Sequence, residues 1–63
     1  MTIERISSIS NANMYVLYDD NGKPIGQSEH VIGGHNAGKT YYYTLGSIPL
    51  AQIKRYFKTA KRV

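Results

Sequence analysis

Residues 33 to 40 read GGHNAGKT, and Gly33, Gly38, Lys39 and Thr40 fill every fixed position of the phosphate-binding pattern G-x-x-x-x-G-K-[ST]. In a nucleotide-binding loop the backbone amides converge on a phosphate, and a helix starting at the Lys-[ST] pair adds its dipole. That chemistry needs a parallel strand before the loop, a helix after it, and an acid to hold magnesium. Here Lys39 and Thr40 run into Tyr41, Tyr42, Tyr43 and Thr44, which favour strand over helix. Gly46 and Pro49 arrive before a useful helix could develop, and Glu29 is the last acid in the chain. A parallel sheet also needs crossovers of a dozen or more residues. The stretch is therefore expected to be a flexible hairpin loop. Its remaining chemistry is non-specific contact with a phosphate through Lys39, Asn36 and free backbone amides.

Other catalytic or metal constellations are equally thin. His30 and His35 are the only nitrogen ligands of imidazole type, and there is no cysteine. Zinc sites usually use three or four nitrogen or sulfur ligands, so these two histidines are expected on the surface or in loops. Asp19 and Asp20 adjoin a turn, where acids are favoured for backbone reasons. No serine sits in a recognisable nucleophile signature. The expectation is a non-enzymatic protein with no cofactor and no metal.

Charge carries more information. Residues 1 to 29 set Arg5 and Lys23 against Glu4, Asp19, Asp20 and Glu29, a net −2. Residues 30 to 63 hold Lys39, Lys54, Arg55, Lys58, Lys61 and Arg62 with no acid, a net +6, which together give the overall +4. A one-sided positive field steers a protein towards phosphate backbones or acidic partners. Lys54, Arg55, Lys58, Lys61 and Arg62 fall on one arc of a helical wheel, beside an arc of Leu50, Ile53, Tyr56, Phe57 and Ala60. No acid pairs with those cations at helical spacing, whereas a solvated lysine-rich face would be the plain alternative. Tyr42, alternating with Tyr41 and Tyr43, is a candidate for stacking on a base.

These residues need elements to hold them. A chain of 63 residues has room for one domain. At that size only about 60% of the unfolded chain's surface is buried on folding. Asn21-Gly22 in MYVLYDDNGKPIGQ is a strong hairpin signal, read as a two-residue type I′ turn. That turn sets Asp20 opposite Lys23, Tyr18 opposite Ile25 and Val16 opposite Gln27. Met14, Val16, Tyr18 and Ile25 then share one face, with Tyr15 and Leu17 on the other, opposite Ser28 and Gly26. Pro24 lacks an amide donor and suits a strand end at an edge. Ile3, Ile6 and Ile9 recur every third residue, a period matching neither strand nor helix, though the surrounding serines and β-branched residues favour strand. Ser47 can cap a helix whose first turn tolerates Pro49.

The expected fold class is α+β: a small antiparallel sheet of three or four strands with one C-terminal helix packed on a face. The single domain divides into residues 1–12 as a possible extra strand or ordered arm, a hairpin over 14–32, and the glycine-rich loop over 33–39. A strand over 40–46 and a basic amphipathic helix over 48–61 complete it. No apolar run approaches the roughly 20 residues that span a bilayer, and the N-terminus lacks signal-peptide character. The expectation is a soluble, cytoplasmic protein.

The order strand, hairpin, strand, helix, carried by MYVLYDDNGKPIGQ and KTYYYTLGSIPLAQIKRYF, is similar to the small arm-binding domains at the start of phage-type integrases. That resemblance, from about position 14 to 57, implies a three-stranded sheet that enters a DNA major groove. The sheet here carries fewer cations than such a role uses, and topology alone does not carry function. From charge, the first expectation is nucleic-acid binding, to DNA or RNA, with phosphate contacts from Lys39, Asn36, Lys54, Arg55, Lys58, Lys61 and Arg62 and stacking on Tyr42. The alternative is a protein-binding module, for example a phage or mobile-element inhibitor docking on a larger host or viral complex through an acidic surface or an edge strand. A homodimer through the same edge is a third possibility, since so small a domain gains from added burial.

Overall fold

The computed structural model describes residues 1–9 and 11–63, with the side chains of residues 7–9 left aside. The chain runs β1 (Thr2–Ile9), β2 (Ala12–Tyr18), β3 (Pro24–Val31), β4 (Thr40–Thr44), α1 (Leu50–Thr59) and β5 (Lys61–Arg62). The strands form one sheet in the order β4-β3-β2-β1-β5. Three junctions are antiparallel, and β5 lies parallel to β1. The expected antiparallel sheet of three or four strands is thus corrected to a mixed sheet of five, still with one helix. The missing strand was hidden in the helix. Ala60 takes extended backbone, its amide still bonded to the Tyr56 carbonyl, and the next two residues pair with Thr2 and Ile3.

The helix also begins later than its expected position 48, at Leu50, and ends at Thr59 rather than 61. Pro49 is its N-cap and no side chain caps it, so Ser47 does not take that role. Instead Thr44 organises the connection: its hydroxyl donates to the Ile48 carbonyl at 2.9 Å. The first bonds of the helix run from the Gln52 and Ile53 amides to the Pro49 carbonyl.

Two irregularities set the register. At the β2–β3 turn only Gly22 has positive φ, at 80°, so the type I′ expectation fails, because Asn21 would also need positive φ. Asp19 pairs with Lys23 through the backbone, and the Gly22 amide donates to the Asp19 carbonyl. The result is the three-residue loop in which a type I turn is followed by a left-handed glycine. One Asp19 carboxylate oxygen accepts the amides of both Asn21 and Lys23 at 2.9 Å. A shift between Leu17 and Tyr18 then places Tyr18 opposite Pro24 while Leu17 faces Gly26 and Val16 faces Gln27. Ile25 is the extra residue of this bulge. It therefore leaves the face shared by Met14, Val16 and Tyr18 and joins the core with Ile3, Leu17, Ile53 and Phe57. A second shift, between Arg5 and Ser7, makes Ile6 the extra residue of β1, where it is exposed while Ile3 joins the core.

Connectivity fixes where the helix lies. Thr44 at the end of β4 pairs with Gly26 near the start of β3, and β5 begins beside Thr2 at the start of β1. Both ends of α1 are therefore at the same end of the sheet, on opposite edges. Ten residues of helix span about 15 Å, and the connections at its two ends make up the rest of the roughly 19 Å between the outer strands of five at about 4.8 Å spacing. The helix crosses the strands transversely and covers one end of one face. Gly26 lies directly beneath it, where an added Cβ would sit 2.8 Å from Ile53 Cγ2.

Candidate nucleic-acid interface

The outer surface of α1 carries Lys54, Arg55 and Lys58, all exposed, while Ile53 and Phe57 are buried beneath it. The 100° step between helical residues makes this separation: Arg55 and Lys58 fall on the side away from the sheet, and Lys54 flanks the buried arc beside Tyr42. Lys61 and Arg62 are not on the helix. They lie on β5, exposed, with Lys61 beside Thr2 and Arg62 beside Ile3. Strand alternation therefore sends Arg62 to the helix-bearing face and Lys61 to the other. The expected five-cation helical arc becomes three cations on the helix and one on each face of the adjoining edge.

The acids sit elsewhere. Glu4 pairs with Val16, and Glu29 with Met14 and Tyr41, which puts both on the open face of the sheet. Asp19 and Asp20 occupy the β2–β3 turn. Among the described residues the only ion pair joins the Met1 amino group to Asp20, at 2.6 Å. That ammonium group, by hydrogen bond and by charge, holds the exposed Asp20 carboxyl below its ordinary value.

The part of the helix-bearing face that α1 leaves bare forms a cleft of about 330 Å³. Its lining comes from every layer: Tyr15 of β2, Ser28 and His30 of β3, Thr40 and Tyr42 of β4, Phe57 of α1 and Arg62 of β5. The rings of Tyr42 and Phe57 meet at 5.5 Å and 55°. The Arg62 guanidinium lies 5.2 Å from the centre of the Tyr15 ring, and Lys54 Nζ lies 5.9 Å from that of Tyr42. His30 Nδ1 and the Thr40 hydroxyl are hydrogen-bonded at 2.9 Å. Tyr42 is thus half-buried against the helix rather than standing free, and the exposed tyrosines of β4 are Tyr41 and Tyr43, on the other face.

The glycine-rich stretch links antiparallel β3 and β4, with no helix following it. Its amides are less available than the sequence suggested: Gly38 donates to the Val31 carbonyl, Ala37 to Gly34 and Lys39 to Asn36. Gly34 and Gly38 take positive φ, as tight turns require. Asn36 and Lys39 are exposed on this loop, and His35 beside them is exposed too. Among the described residues no group of three His, Cys, Asp or Glu side chains gathers.

Sequence reasoning brought Lys54, Arg55 and Lys58 together and the helix keeps them so. It missed the cleft, although the register it gave, with Tyr15 opposite Ser28, already put those two on one face. Arg62 was beyond reach, because its place depends on the chain leaving the helix at Ala60. No protein-family model, curated protein or solved structure matches the chain. Among the described residues no helix is long and apolar enough to cross a membrane.

Proposed function

We propose that the protein is a non-enzymatic nucleic-acid-binding domain whose principal contacts are to phosphates. One observation carries the reading: Lys54, Arg55 and Lys58 share the solvent side of α1 with no acid paired to them among the described residues. Glu4 and Glu29 lie on the opposite face of the sheet, and the acids at the end that α1 covers, Asp19 and Asp20, are engaged by turn amides and by the Met1 ammonium group. Arg62 extends the positive surface across the sheet edge, while Asn36 and Lys39 present a second, smaller site at the loop. Phosphates displace counterions from such a surface, so affinity depends steeply on salt.

The test is a salt-titrated binding measurement with duplex DNA, single strands and RNA. Neutralising three phosphates gives a log–log slope of about −2 to −3. Reversing Lys54, Arg55 and Lys58 to Glu should abolish binding while leaving the fold intact, since all three residues are exposed and none belongs to the apolar core. Binding that is flat between low and moderate salt, or unchanged in the reversed variant, would remove the reading.

A protein partner is the second reading, favoured by the open sheet face. It exposes Tyr41 and Tyr43 at 38% and 45%, on the edge strand β4. Aromatic side chains anchor interfaces, and a free edge strand can extend a partner's sheet. One stoichiometric protein retained after nuclease treatment would favour it over phosphate binding.

A further inference from the structure

The cleft beside α1 combines features that phosphate contact alone does not use. Its walls are flat and aromatic, from Tyr15, Tyr42 and Phe57. Its other groups can donate or accept hydrogen bonds: the Ser28 and Thr40 hydroxyls and the His30 imidazole. No carboxylate lines it, and Arg62 and Lys54 stand over two of its rings. At about 330 Å³ it lies at the small end of the roughly 300–1,000 Å³ range of ligand clefts. A planar, edge-polar group joined to an anion matches that set of neighbours. An aliphatic chain would offer no hydrogen bond to the Ser28 hydroxyl or to His30 Nε2, and a free phosphate would leave the rings unused.

We infer that this cleft receives one unpaired nucleobase of a single strand, with the phosphates on either side meeting Arg62 and the cations of α1. The inference rests on the phosphate-binding reading and deepens it to a preference for single strands. In a duplex both faces of each base are already stacked, so the aromatic walls have nothing to receive. In a single strand a base can turn out and stack on Tyr, Phe or an Arg plane, with its edge free for hydrogen bonds. Arg62 supplies both properties at once, because it borders the cleft and continues the positive ridge.

The experiment measures binding of the full chain, at one low salt concentration, to a short oligothymidylate, the same backbone lacking bases, a duplex of matched phosphate number, and thymidine monophosphate. The oligothymidylate should bind about tenfold tighter than the abasic strand or the duplex, the scale of one base stacked on aromatic side chains. Ser28→Leu fills the cleft floor without altering charge and should bring the oligothymidylate down to duplex level, leaving duplex affinity unchanged. His30→Ala, whose side chain is outside the apolar core, should give a smaller loss in the same direction and covers the case in which Ser28→Leu does not fold. Equal affinity for the strand with and without bases, or a preference that survives His30→Ala together with any folded Ser28→Leu, would overturn the inference and leave phosphate binding standing. Thymidine monophosphate bound as tightly as the strand would assign the cleft to a free nucleotide instead, overturning it. Failure of every polyanion to bind would remove the phosphate reading and the base site with it.

Discussion

The two faces of this sheet bury their apolar residues by different means. On the helix-bearing face Ile3, Leu17 and Ile25 are sealed by Ile53 and Phe57, and three of these five are at most 1% exposed. On the open face Ala12 and Val16 are buried at 3% and 8% exposure with no layer above them. Their cover is lateral: Val16 lies between Glu4 and Gln27 on neighbouring strands, with Met14 and Tyr18 before and after it. Cross-strand neighbours of this kind shield a small side chain but cannot enclose a large one. The helix concentrates the stabilising burial in one place, leaving the open face dependent on the register of its strands.

The sharpest way to break this contrast is to truncate one residue from each side. Ile53→Ala opens a cavity in the sealed core and should cost about 2–5 kcal/mol. A domain of 63 residues has only about 3–9 kcal/mol in total, so the variant should be mostly unfolded well below the parent's melting temperature. Val16→Ala removes two methyl groups from a site with no lid and should cost about 1.5 kcal/mol. Urea denaturation of the two variants checks the ratio. If Val16→Ala proved as costly as Ile53→Ala, the open face would have to be covered in solution. A concentration-dependent midpoint would then identify a second copy as the cover.

A narrower test addresses the seam between helix and sheet. The Gly26 backbone is not left-handed, so alanine there should on its own stabilise slightly by restricting the unfolded chain. Its Cβ, however, would meet Ile53 Cγ2 at 2.8 Å and Cδ1 at 3.1 Å. Overpacking of that kind costs about 1–3 kcal/mol. Gly26→Ala should therefore destabilise the parent but be neutral or slightly stabilising in the Ile53→Ala background. A double-mutant cycle measures the coupling. Additive effects would mean that the helix does not press on β3 at this point.

These faces were partly legible in the sequence. Period-two alternation put Tyr15 and Leu17 opposite Met14 and Val16, and helical periodicity selected Ile53 and Phe57 to meet the sheet. Both patterns depend only on local geometry. What failed depended on single insertions. One extra residue in the β2–β3 turn and one in β3 cancel further along, so Val16 still meets Gln27, but Ile25 between them changes face. Period-two reasoning cannot detect a compensated pair of slips. The fifth strand failed for another reason. Lys61 and Arg62 continue the helical charge pattern well, and what turns them into a strand is the free edge of β1, a partner nearly the whole chain away in sequence. The candidate site inherited both outcomes: its helical cations follow from periodicity, while its cleft requires the sheet order and the transverse path of the helix.

The smallest effect is expected off both faces, and it calibrates how little an exposed charge contributes beside either kind of burial. The Met1 ammonium group and the Asp20 carboxylate meet at 2.6 Å, with Asp20 at 87% exposure. Exposed pairs are screened by water and salt and contribute little. The pair lowers the Asp20 pKa below its ordinary 3.8, so the folded state binds its proton less readily than the unfolded state. Its contribution is thus complete above 3.8 and is lost as pH falls through the lower folded value. Asp20→Asn should remove that acid-side loss while barely moving the midpoint at neutral pH, and acetylating the amino group should do the same from the other partner. Both should vanish in high salt. A midpoint change at neutral pH as large as that of Val16→Ala would mean that this pair, rather than lateral packing, holds the start of β1 against the β2–β3 turn.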